Sequence, residues 1–315
     1  MSSETVTDAE ASSTARERLL GLFGSRRARL AVTVGPGLVW LVLLMLAPLI
    51  FLIAVSFTIT DQQTYQIIWE FTLENYTGLF STGGEVFYQS SFFRSVVLSY
   101  FIAGATTVGT LAVTAPVAYL LARRSGRFFK VFLYFVLLPF FTVYIVRAYS
   151  WFLMFGSNGN INKFLTWVGI IDQPSSVFFY GVFPIIVGLT HAYFPYMLLT
   201  LYASLDGVDF SLLEASRDLG AGRFESFRDV LIPLVLPGII SGTVFVFVPA
   251  LGAFLTPEFL AQGKVLMIGQ LIASRVNSMY AIGYGSAAAM FIIASVVIAF
   301  ALAFRYVGIR DLGGA

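Results

Sequence analysis

Few residues in this chain can do chemistry. Cysteine is absent and His191 is the sole histidine. Thiol catalysis, disulfides, zinc–thiolate sites and multi-histidine metal centres are therefore excluded. A phosphate loop needs Gly, four residues, then Gly-Lys-Ser/Thr. The one Gly-Lys pair, Gly263-Lys264, is followed by Val265 and has no matching upstream glycine, so this chain does not bind ATP by that motif. His191 sits inside an apolar run, which leaves no Ser-His-Asp set. It reads either as a packed, hydrogen-bonded residue or as a group lining a pore. No catalytic residue, cofactor, metal or nucleic-acid partner is expected.

The charge that the chain does carry is concentrated. Six carboxylates and three arginines fall between Asp206 and Asp229, and the flanking runs are almost uncharged. Asp209 can cap a helix starting at Phe210 or Ser211. Leu212, Leu213, Leu219 and Phe224 give the stretch an apolar side, Gly220 and Gly222 break it, and a second short helix can run from Arg223 to Asp229. A helix–Gly–helix elbow of this kind suits insertion into a groove on a partner. It also suits a solvated connector lying on a membrane surface, and the residues by themselves leave both open.

The elements that position this loop must be membrane spans. Hydrophobic residues make up 58% of the chain and charged residues 11%, against a soluble norm of about 25% charged. No single soluble core hides that much apolar surface, and a mean hydropathy of +0.84 agrees. A spanning helix needs roughly 20 apolar residues. Six such segments are expected, at about 30–57, 95–122, 128–151, 178–202, 230–255 and 282–304, within one transmembrane domain over 30–304. Residues 1–29 read as an N-terminal tail, 203–229 as the polar loop and 305–315 as a C-terminal tail. Six spans put both termini on one side. Lys and Arg count fourteen on that side, which also holds the 206–229 loop, against five on the other. The positive-inside rule then makes both termini and the loop cytoplasmic.

Small residues in the second span (Gly104, Ala105, Gly109, Ala112) and the sixth (Gly283, Gly285, Ala287, Ala289) predict close helix packing, within the chain or between subunits. Arg147, near the outer end of the third span, either snorkels to headgroups or acts as an outer gate, ion-paired to Glu258 or Asp172. Tyr149, Trp151, Tyr193 and Glu258 are candidates for a substrate pathway. Aromatic faces could pass an alkylammonium by cation–π contact, or they could be packing residues. Buried carboxylates that would couple transport to an ion gradient are missing. An ATP-independent carrier or channel remains the rival class.

The 206–229 loop resembles the EAA motif of binding-protein-dependent ABC importer permeases: Glu-Ala-Ala, three residues, Gly, nine residues, Ile-x-Leu-Pro. Here Glu214-Ala215-Ser216 is followed at that spacing by Gly220 and by Val230-Leu231-Ile232-Pro233. Ser, Val and Ile replace Ala, Ile and Leu. The resemblance extends over nearly all of 30–304. Phe71-Thr-Leu-Glu-Asn-Tyr76, Val146-Arg-Ala-Tyr-Ser-Trp151, Asn158-Gly-Asn-Ile-Asn162, Phe194-Pro195 and Leu251-Gly-Ala-Phe-Leu-Thr-Pro257 are similar to the spermidine/putrescine-type permease, first of two permease subunits. After Pro257, Glu258-Phe-Leu-Ala-Gln-Gly263 departs from the family's Leu-Gly-Gly turn.

The resemblance implies an all-α type I importer permease with six transmembrane helices in a bacterial or archaeal cytoplasmic membrane. It also implies a second permease subunit as heterodimer partner, two ATP-binding subunits that hydrolyse ATP, and an extracytoplasmic substrate-binding protein. The implied cargo is a polyamine; members of the group also import other small organic solutes or ferric iron. By position, Glu214, Ala215, Ser216, Leu219, Gly220 and Pro233 would couple the permease to the ATPase.

Overall fold

A computed structural model of the chain describes residues 26–61, 64, 66–81, 90–124, 127–156, 158–173, 180–278 and 280–307. The expected C-terminal tail from residue 308, and all but the last four residues of the expected N-terminal tail, lie outside these. The chain divides into two compact units, Met1–Ser56 and Phe57–Ala315. In the first, helix α1 (Arg26–Ser56) continues through both Pro36 and Pro48.

The second unit begins with a two-stranded antiparallel hairpin, β1 (Ile59–Thr60) against β2 (Ile67–Ile68). Helices then follow in order: α2 (Glu74–Phe80), α3 (Ser91–Arg123), α4 (Arg127–Leu137), α5 (Tyr144–Phe155), α6 (Asn160–Val168) and α7 (Val182–Asp206). They continue with α8 (Ser211–Asp218), α9 (Arg223–Leu251), α10 (Leu255–Ala261), α11 (Ile268–Asn277) and α12 (Ile282–Val307). Among the described residues, five helices are long and apolar enough to cross a membrane: α1, α3, α7, α9 and α12.

The third expected span, 128–151, is not one helix. Helix α4 stops at Leu137, a 3-10 turn covers Leu138–Phe141, and α5 restarts at Tyr144. Pro139 has no N–H to continue the ladder and restricts the residue before it. Helix α6 begins at Asn160, inside a run of turn-forming residues. Asn162 lies within α6, buried, with its Nδ2 donating to the carbonyls of Phe155 and Gly156. That bond satisfies the end of α5 and folds α6 back onto it.

Helix α7 is the centre of the unit, packed between α3 and α9. Ile185, Leu189, Ala192, Pro195, Leu198, Leu201 and Leu205 recur every three to four residues and are buried, so the helix presents one continuous apolar face. In lipid, hydrophobicity does not drive helices together; close van der Waals approach does. Gly238 and Gly242, one turn apart on α9, provide that approach. A Cβ on Gly238 would lie 2.4 Å from Ser204 Cβ, and one on Gly242 2.5 Å from Met197 Sδ.

Within this chain the small residues of α3 carry only part of its packing. Gly104 meets nothing within 4 Å and Ala112 is exposed, although Gly109 does approach Thr190. The buried face carries Ala103, Thr106, Thr107, Thr110 and Thr114 instead. Thr107, Thr110 and Thr114 each donate a hydroxyl proton to the carbonyl four residues back, which lets polar side chains pack in an apolar setting. In α12 the small residues do pack within the chain: a Cβ on Gly283 would meet Asn75, one on Gly285 would meet Val276, and Ala287 is fully buried.

Candidate functional site

Two groups of residues emerge, one in the connection between α7 and α9 and one around α5. In the connection, the Asp209 carboxylate accepts the Ser211 N–H at 3.0 Å and opens α8. These bonds to Ser211 favour the charged form and hold the carboxyl below the ordinary aspartate value. Helix α8 ends at Gly220, whose φ of +94° suits a residue without Cβ. The Gly220 N–H donates to the Arg217 carbonyl at 2.9 Å and the Ala221 N–H to the Ser216 carbonyl at 3.1 Å. Together these two bonds form a Schellman motif. Across the turn, the Glu225 carboxylate accepts the Gly222 N–H at 2.8 Å, so α9 starts within two residues of the bend.

The two helices of the elbow are tied together. Ser216 Oγ hydrogen-bonds Ser226 Oγ at 2.7 Å, and Ser226 is fully buried. Leu213 is buried in the hydrophobic core, whereas Leu219 (89% exposed) and Phe224 (72% exposed) point away from it. Glu214 and Ala215 are exposed. The expected apolar side is therefore split: one part seats the elbow and the other is left uncovered by this chain. The exposed Arg228–Asp229 pair at 3.5 Å adds little, since surface pairs contribute about 0–1 kcal/mol.

Residues 226–231 form a π-helical segment, in which the Ile232 N–H reaches the Phe227 carbonyl. Pro233 follows directly and has no N–H for the Asp229 carbonyl, so one turn of the ladder shifts its register. The sequence placed the proline but not the π-turn.

Around α5, Arg147 has neither of the carboxylate partners expected for it. Among the described residues Arg147 forms no ion pair with Glu258 or Asp172, so the expected bridge is absent. The guanidinium instead lies 5.2 Å from the ring centre of Phe140 and 5.7 Å from that of Tyr144. Its Nε and Nη1 are buried and have no hydrogen-bond partner among the described residues. Each ring contributes ~0.5–2 kcal/mol, so the two rings stabilise the guanidinium where no carboxylate does.

His191 is half-buried and hydrogen-bonded: Trp151 Nε1–H donates to its Nδ1 at 3.2 Å, which puts the neutral imidazole's proton on Nε2. Its ring stands 5.4 Å from Phe140. Tyr193 is buried and donates to the Pro249 carbonyl at 3.1 Å. Tyr144 and Thr256 share a 2.6 Å hydrogen bond. Tyr149 is exposed and packs on Phe152 and Phe259. Glu258 is exposed and accepts from Gln270 Nε2 at 2.9 Å.

The structure thus gathers Trp151 and His191 with Phe140 and Arg147, and leaves Tyr149 and Glu258 on a neighbouring face. Phe140 and Ser226 were missed from the sequence. Neither carries a spacing signal, because each acts through a residue distant in the chain or across a helix break.

Comparison with known proteins gives the arrangement a context. Residues 114–310 match the model of the family described as binding-protein-dependent transport system inner membrane component. The spermidine/putrescine transport system permease protein PotB of Escherichia coli K12 is 34% identical over 233 residues, covering 74% of this chain and 81% of that protein. The inner membrane ABC transporter permease protein YdcU of the same organism is 30% identical over 300 residues, 90% of this chain and 88% of the relative. A bacterial alginate ABC transporter, solved in complex with its alginate-bound periplasmic protein, shares the fold with a TM-score of 0.62 at 18% identity, covering 89% of this chain and 94% of its own. The architecture is the all-α type I importer permease fold, and the chain is a multi-pass inner membrane transport subunit. By both the family match and the identity to full-length relatives, it belongs to the family of inner membrane components of binding-protein-dependent transport systems.

Proposed function

We propose that this chain is one of two different permease subunits forming the pore of an ATP-driven importer, and that the cargo is a polyamine of the spermidine/putrescine type. The observation that carries the cargo is the likeness to PotB across 81% of that protein's length. Two ATP-binding subunits hydrolyse ATP on the cytoplasmic side, a binding protein delivers the cargo on the other, and both termini are cytoplasmic. The charge bias supports that orientation.

The α8–α9 elbow is the coupling element. Glu214, Ala215, Leu219 and Gly220 face the ATPase, with the exposed Leu219 and Phe224 as its apolar contacts. ATPase closure pushes α8. The Ser216–Ser226 bond passes the movement to the π-segment, and the irregular ladder before Pro233 absorbs it at the root of α9. The substrate passes α5 near Tyr149 and Glu258, with Arg147 as a gate; Trp151 and Tyr193, engaged within the chain, shape that wall.

The test is to purify the chain with the products of its neighbouring genes and reconstitute it. Co-purification of an ATP-binding subunit and ATP-dependent uptake of labelled spermidine or putrescine are expected. Absence of any ATP-binding subunit overturns the importer reading. Uptake of neither polyamine overturns the cargo.

A further inference from the structure

The α5 region holds an anomaly for a protein that would carry a polycation: its one buried charge is itself a cation. Arg147 has no carboxylate to hold it, and its Nε and Nη1 make no hydrogen bond among the described residues. What holds it is the face of Phe140 at 5.2 Å and of Tyr144 at 5.7 Å. An ion-paired arginine is locked by two partners that must part together. One held by ring faces is displaced by any other cation that reaches the same rings.

Phe140 also belongs to a second feature. It lines a cavity of about 360 Å³ between α3, the 3-10 turn, α5 and α7, together with Val113, Trp151, Thr190, His191 and Phe194. Its ring runs parallel to that of Phe194 at 6.1 Å and stands beside His191 at 5.4 Å. No charged residue is among the described residues that line this cavity. Its walls therefore offer an alkyl chain apolar contact and offer an ammonium ring faces and the Thr190 hydroxyl. Arg147 rests on one of those rings from outside the lining, as a tethered cation whose charge opposes a second one on the same ring.

We propose that the cavity is a subsite for an alkylammonium and that Arg147 competes with the ligand for the ring of Phe140. The competition keeps binding in the permease weak, so that cargo leaves as readily as it enters. Thr190 gives the ligand its one hydroxyl contact. Trp151, oriented by its bond to His191, gives a second ring. The spermidine arm of the test below rests on the polyamine reading; the alkylammonium arm does not.

The experiment uses the full complex with its partner permease and ATP-binding subunits in nanodiscs, without the binding protein. Equilibrium binding is measured for two probes, labelled spermidine and butyltrimethylammonium. Arg147→Met removes the tethered charge and is expected to tighten both by about tenfold, the loss of one competing cation–π contact. Arg147→Lys keeps the charge and leaves affinity near wild type. Adding Phe140→Leu to Arg147→Met abolishes the gain. If Arg147→Met fails to assemble, Arg147→Gln makes the same test. A neutral variant that assembles and gains no affinity for either probe overturns the proposal, as does a gain that survives Phe140→Leu. A gain for butyltrimethylammonium with none for spermidine upholds the subsite and counts against the polyamine cargo.

Discussion

Ser216 and Ser226 stand ten residues apart in sequence, on either side of the Gly220 bend, and their hydroxyls meet at 2.7 Å. This contact joins α8 to the π-segment that begins α9. Where the motif resembled here has a second alanine, this chain has a hydroxyl that reaches its own next helix.

Ser216→Ala strands the Ser226 hydroxyl in a fully buried position. A buried polar group left without its partner costs ~1–3 kcal/mol. The expected result is faster hydrogen exchange at the α8 amides and lower uptake per ATP hydrolysed. The double variant, with both serines changed to alanine, recovers much of the stability because no polar group is left unpaired. Equal exchange rates in wild type and Ser216→Ala would show that the bond carries no energy.

Gly220 takes a φ of +94° and donates its N–H to Arg217. Gly220→Pro forbids both, since proline fixes φ near −65° and has no donor. Gly220→Ala keeps the donor and strains the backbone, at ~1–2 kcal/mol. ATP hydrolysis in the complex is expected to persist while uptake falls, strongly for Pro and partly for Ala. The binding protein's affinity for its ligand stays the same. Glu214→Lys, reversing an exposed charge on the same helix, is expected to act in the same direction. Normal uptake by both Gly220→Pro and Glu214→Lys would remove the coupling role from the elbow.

Gly238 lies where any Cβ would meet Ser204 Cβ at 2.4 Å and the Thr200 carbonyl at 2.9 Å. Because the obstacle includes backbone, Gly238→Val forces α7 and α9 apart, at a cost of ~1–3 kcal/mol or more. Loss of monodisperse protein on size-exclusion chromatography is expected. Gly104→Ala on α3 meets nothing within 4 Å and is expected to leave the profile unchanged. The opposite ranking would mean that the close crossing is at α3.

The Asp209 carboxyl titrates below its ordinary value because its charged form accepts from Ser211. A carboxyl depressed by folding stabilises the folded state above its unfolded pKa, and that contribution is lost as pH falls through the folded value. The start of α8 is therefore expected to fray only in acid, below the usual aspartate range. Asp209→Ala removes the acceptor and is expected to raise exchange at the Ser211 amide already at neutral pH. An Asp209→Ala exchange rate equal to wild type would exclude the cap.

Much of the elbow was legible in the sequence. Asp209, Gly220 and Pro233 announce a cap, a bend and a ladder break through properties of single residues: a carboxylate acceptor, a missing Cβ, a missing N–H. The third span was not legible as it folds. Its apolar run reads as one helix, yet Pro139 divides it, and the 3-10 turn that results is what places Phe140 between Arg147 and His191. Arg147 stands out in the sequence and its charge points to carboxylate partners, but the chain holds it with rings.

Hydropathy over tens of residues, charge bias between loops and the spacing from Glu214 to Pro233 are local or additive properties. For that reason the sequence alone determined a multi-pass helical membrane protein with a polar elbow between two apolar helices. Which side chains meet across helices is neither local nor additive. It depends on rotation about each helix axis and on where a helix breaks. Tertiary structure therefore decided that α3 packs through threonines rather than through Gly104, that Ser216 finds Ser226, and that Arg147 rests on Phe140 and Tyr144.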